Sequence, residues 1–237
     1  MKKRVVAVVA VLMLLSALAL SSNGAGADVR TVPLEDTSII VEVNSTDGDA
    51  GLQLFLDGEA WRSIQVRSPD GRKIFDVAGG GQLKNLGLTE LFWESEEPSF
   101  DEMPLEEFLA LFPEGEYTFS GKTVEGERIT GSALLSHDIP AGPVVVSPEE
   151  GGVVPADAAV VVWEPAVEPV GIDIVGFQVI VEREDEARTF QVDLPATATS
   201  VTIPPEFLEA NTGYKVEVLA IEASGNQTIT EVSFQTG

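Results

Sequence analysis

Apolar and polar positions alternate with a period of two along most of the chain, in short runs separated by turn residues. Residues 37–44 are rich in β-branched side chains, and residues 51–56 set Leu52, Leu54 and Leu56 against Gln53 and Phe55. Neighbouring side chains in extended backbone point to opposite faces, so such runs predict half-buried strands. Residues 61–66 and 73–77 flank Ser68-Pro69-Asp70-Gly71. That tetrapeptide predicts a tight hairpin turn, because Pro69 presets one φ and Gly71 tolerates a positive one. The period changes once. In residues 104–112, Leu105, Phe108, Leu109 and Phe112 fall on one helical face, with Pro104 suited to a first turn and Pro113 enforcing the stop. Residues 86–93 fit a buried strand or a helical turn equally well. Residues 116–123 and 127–135 predict a second hairpin.

After Pro140-Ala141-Gly142-Pro143, a stiff linker by its two prolines, the alternation resumes. Strands are predicted at residues 144–146, 159–163, 176–183, 189–194, 201–203, 214–223 and 228–235. The expected organisation is a β-rich domain over 28–139, a linker over 140–143 and a second domain over 144–237. Within the second, Trp163 ends a β-branched run, and Leu208 precedes a turn before Tyr214, which opens a strand. The order and spacing of Trp163, Leu208 and Tyr214 resemble a fibronectin type III domain. The resemblance implies a two-sheet sandwich in which the Tyr214 hydroxyl turns back onto the backbone a few residues upstream. It also implies a spacer or docking module. The fold class expected for the whole is all-β, two tandem sandwich-like domains, the first carrying one short helix and matching no recognised family.

The N-terminus changes the setting. Lys2-Lys3-Arg4 precedes an apolar stretch over residues 5–20, and Ala25 and Ala27 form a small-residue site before Asp28. This predicts a secretory leader cut after Ala27, too short an apolar run to span a bilayer, which takes about 20 residues. No second run approaches that length, so no stable membrane insertion is expected after cleavage. The chain carries a formal charge of −25, and the leader removes three more positive charges. So acidic a surface repels nucleic acid and anionic membranes. The absence of cysteine excludes disulfides, cysteine metal sites and a lipid-modified N-terminal cysteine.

Candidate chemistry is sparse. Asp47-Gly48-Asp49, joined by Asp57 and the Asn44 carbonyl, offers oxygens to calcium, although no EF-hand pattern accompanies them. The competing reading is that these aspartates cap turns. Glu94, Glu96, Glu97, Asp101 and Glu102 crowd one loop, where a solvated surface is the expected role and acid–base catalysis the rival. Ser136, His137 and Asp138 are adjacent, and strand neighbours point apart, so they cannot form a triad alone. Trp61, Trp93 and Phe100 would bind sugars if exposed; Trp163 belongs to the core. Asn44-Ser45-Thr46 and Asn226-Gln227-Thr228 match glycosylation sequons. The expected function is that of a secreted or periplasmic, non-enzymatic protein that binds a protein, cell-surface or polysaccharide partner, in adhesion or as a structural element. The alternative is a carbohydrate-binding accessory module.

Overall fold

The computed structural model describes residues 29–164 and 169–237; the predicted leader and Pro165 lie outside them. The first half runs β1 (Thr31–Pro33), β2 (Asp36–Asn44), β3 (Asp49–Arg67), β4 (Lys73–Ala78), α1 (Leu83–Leu86), β5 (Leu88–Glu94), α2 (Leu105–Leu111), β6 (Gly115–Thr123) and β7 (Arg128–Leu135). The second runs β8 (Val144–Ser147), β9 (Gly152–Val154), β10 (Val160–Glu164), β11 (Ile174–Arg183), β12 (Thr189–Pro195), β13 (Ser200–Thr202), β14 (Gly213–Glu222) and β15 (Gln227–Thr236). Among the described residues, no helix is long and apolar enough to cross a membrane.

In the second half, β13-β10-β8 form one sheet, and β12-β11-β14-β15, with β9 added in parallel, form the other. Alternation dictates the layering. Phe177, Val179 and Val181 of β11, Val216 and Val218 of β14, and Phe234 of β15 turn inward onto Val161 and Trp163 of β10. Burying a side chain of this size stabilises the fold by roughly 1.5–3 kcal/mol.

The first half repeats this pairing with one economy. Residues expected to form two strands, 51–56 and 61–66, lie in the single bent strand β3. Its first part pairs with β2 and β5, and its second with β4 and β6. Register irregularities between Asp57 and Ser63 mark the bend. The inward set passes there from Leu52, Leu54 and Leu56 to Trp61, Ile64 and Val66, and both parts share one core. The two layers are therefore β2-β3-β5 and β4-β3-β6-β7, with β1 added in parallel to β7. The undecided stretch resolves into the turn α1 and the strand β5. In α2 the predicted face packs on the core, with Phe108 fully buried. The hairpin turn forms as predicted: Gly71 has φ 83° and donates its N–H to the Ser68 carbonyl at 2.8 Å.

Candidate binding groove at the domain junction

The two halves are joined through their sheets. β15 lies parallel to β2, with Gln227, Thr228 and Ile229 opposite Glu42, Val43 and Asn44. The ladder continues past the last strand residue because the Asn226 side chain takes over from backbone. Its Oδ1 accepts the Val41 N–H at 2.8 Å. Its Nδ2 reaches the Ser136 carbonyl at 3.0 Å, the Ser136 hydroxyl at 3.1 Å and the Asp138 carbonyl at 3.2 Å. Glu222 holds the turn behind it, accepting from the N–H groups of Ser224 and Asn226 at 2.9 and 3.1 Å. Asn226 is 0% exposed and Asn44 4% exposed, and Asn44 donates to Glu231 Oε1 at 2.9 Å. Both sequon asparagines are thus structural members of the joint, and neither amide is open to a glycan in the folded protein.

The joint makes one seven-stranded surface, β5-β3-β2-β15-β14-β11-β12. Its inner face feeds the two cores. The outer face, expected to be solvated in an antiparallel sheet, forms a groove. Ile180, Leu219 and Ile229 cluster on its floor, with Ile40, Phe55 and Phe92 beside them; Leu219 is only 2% exposed. The cavity at the centre measures about 160 Å³.

Two sets of glutamates stand around this floor. Glu182, Glu217 and Glu231 surround Lys215, whose ammonium lies 3.4 Å from Glu231, 3.8 Å from Glu182 and in direct contact with Glu217. Burial lowers the basicity of Lys215, but the three carboxylates more than offset it and its pKa is raised. Burial dominates for Glu217, which is raised despite that pairing. In the second set, Glu42, Glu94 and Glu97 each place a carboxylate oxygen within 4.8 Å of the others, close enough to share a proton or a cation. Burial, then the charges of Glu94 and Glu97, push Glu42 up to about 7, against the hydrogen bonds from Gln227 and Gln53. Gln53 also donates to Glu94 at 2.9 Å.

Of the residues singled out in the sequence, Glu94 and Glu97 reach the groove, whereas Glu96, Asp101 and Glu102 are exposed outside it. Asp47 and Asp49 sit together at the β2–β3 turn. Asp57 stands opposite Asp36 at the far end of the same ladder, roughly 26 Å from Asp49 along an extended strand. The three aspartates are not brought together, and the Asn44 carbonyl is taken by Gly48 N–H at 2.9 Å. His137 is a structural tie, with its N–H on Glu114 at 2.8 Å and its ring bonded to the Phe112 carbonyl. Trp61 is 0% exposed, Trp93 stacks on Phe75 at 5.2 Å and Phe100 packs against the first core. None of the three offers a flat aromatic platform. Glu42, Glu182, Lys215, Glu217 and Glu231 were not singled out. Each is an outward residue of an alternating strand; pairing within each domain assembles its own set, and the joint places the two sets around one floor.

Tyr214 is fully buried and its hydroxyl accepts the Glu209 N–H at 2.8 Å, closing the predicted corner. The second domain is fibronectin type III-like. No protein-family model matches the chain, and no curated protein matches it. Among solved structures, a fibronectin type III domain of human collagen α-1(XX) is 24% identical over 40% of this chain and 78% of its own, with a TM-score of 0.31. A structure described as a myokine is 27% identical over 40% of this chain and 96% of its own, TM-score 0.32. A segment of two fibronectin type III domains from chicken tenascin is 12% identical, covers 85% of this chain and 98% of its own, and has a TM-score of 0.33.

Proposed function

We propose that this is a secreted or periplasmic binding protein without catalytic activity, working through contacts with a protein or cell-surface partner. The observation that carries the reading is the joint. It locks the two domains into one sheet, and the second domain supplies half of a concave groove as well as acting as a spacer. Such a preorganised surface loses little freedom on binding. The sugar-module alternative loses its support with Trp61 and Trp93 turned to the core.

The test is retention on washed envelopes of the producing cells. The mature protein, expected to begin at Asp28 by intact mass, should co-sediment with them. An Ile40→Gln/Phe92→Gln variant with an unchanged thermal midpoint should not. Equal retention of both, or of neither, overturns the groove as the binding surface. Glu42 and Glu94 also have the proximity that an acid–base pair would need; the binding reading expects no hydrolysis of a panel of nitrophenyl glycosides.

A further inference from the structure

Resting on that reading, we infer that the groove receives a basic, extended peptide segment of the partner, with a lysine or arginine head seated between Glu42, Glu94 and Glu97. The structure contains its own precedent. Lys215 crosses the same face and is held there by three glutamates, Glu182, Glu217 and Glu231. The Glu42 set repeats that arrangement across the floor from it, and the carboxylates of Glu42 and Glu94 are met by the neutral amides of Gln227 and Gln53. The space between is apolar at its base, with Ile40, Phe55, Phe92 and Ile180 along it.

An occupant must therefore have an apolar stem and a cationic tip, which describes lysine and arginine side chains, whose methylenes lie on apolar surface while the head reaches a polar rim. The cavity of about 160 Å³ matches roughly five waters at ~30 Å³ each. That accommodates one side-chain head at a time, as an extended segment would present it. Charge complementarity steers such a segment in and rejects an acidic one.

The probe is a capped octapeptide alternating lysine and valine, compared with its glutamine–valine counterpart, titrated calorimetrically into the mature protein at 150 mM salt. The lysine peptide is expected to bind at least about tenfold more tightly. Glu42→Gln/Glu94→Gln/Glu97→Gln should weaken it by about tenfold or more. Removing three exposed carboxylates elsewhere, in Glu106→Gln/Glu116→Gln/Glu125→Gln, should leave it within about twofold. Lys215→Gln, which releases three further glutamates, should tighten it, a direction that misfolding cannot produce. Equal weakening by the two triple variants would mean attraction to net charge alone and would overturn the inference. Equal affinity for the glutamine peptide, lost in Ile40→Gln/Phe92→Gln, would keep the groove as a binding surface and overturn the cationic partner. Absence of binding by either peptide overturns the cationic partner too, while envelope retention still decides the wider reading.

Discussion

The two domains share a strand-pairing scheme and differ in how they realise it. The second uses separate strands, β10 and β11, for its two layers. The first runs the single strand β3 through both, bending between Asp57 and Ser63. Each has a fully buried tyrosine at the start of its penultimate strand, but the hydrogen bonds run in opposite senses. Tyr214 accepts the Glu209 N–H at 2.8 Å, whereas Tyr117 donates to the Pro113 carbonyl at 3.1 Å. The corner is thus a solution to geometry, since a buried phenol needs a partner and either backbone group serves. One layout can be reached by two local chemistries, and a motif written for one of them passes over the other.

The largest effect is expected where the comparison is broken altogether, at the joint. Asn226→Ala strands the buried Val41 N–H and the part-buried carbonyls of Ser136 and Asp138. At 1–3 kcal/mol for each unsatisfied group, the loss should reach about 4 kcal/mol, and calorimetry should show one unfolding transition separating into two. Next comes Glu42. The folded protein holds its proton up to about pH 7, whereas the unfolded chain releases it near its ordinary value. The folded state therefore binds more protons between the two, and stability falls as pH rises through that window, levelling above pH 8. The full change is about 3 kcal/mol. Glu42→Gln should remove it, raising the thermal midpoint at pH 8 and not at pH 5.

Gly142→Ala sharpens the comparison of linker with joint. A β-carbon there would collide with the hydroxyls of Ser45 and Thr230, so a loss of about 2 kcal/mol is expected from chemical denaturation. The smallest effects separate the two corners. Tyr117→Phe should cost about 1 kcal/mol, and Tyr214→Phe slightly more because it orphans a backbone N–H. Equal losses would erase that distinction.

The second domain was legible because its strands are short, alternating and separated by turns, with Trp163, Leu208 and Tyr214 spaced as the sandwich requires. The first was legible as strands and one helix, but its layout was hidden. Asp57-Gly58 reads as a turn, and here the strand bends through it to change partners without stopping. Residues 86–93 were ambiguous because a short apolar run carries no period. The groove was illegible for a different reason. Glu42 is an ordinary outward residue of β2 until Gln227, far along the chain, lies beside it. No local pattern encodes a neighbour supplied by the other domain. On the outward faces, Ile40 between Ser38 and Glu42, and Leu219 two residues after Glu217, were the trace.

The parallel seam between β2 and β15 also bears on how this chain stays dispersed. Each of these strands would otherwise border its sheet with a row of unpaired amides and carbonyls, the surface on which chains add to one another. Pairing them covers three residues of each border, and the Asn226 side chain covers the Val41 N–H beyond. Either domain released from the other would bare that stretch, so isolated halves should self-associate more than the intact chain at equal concentration, even at the same strongly negative charge.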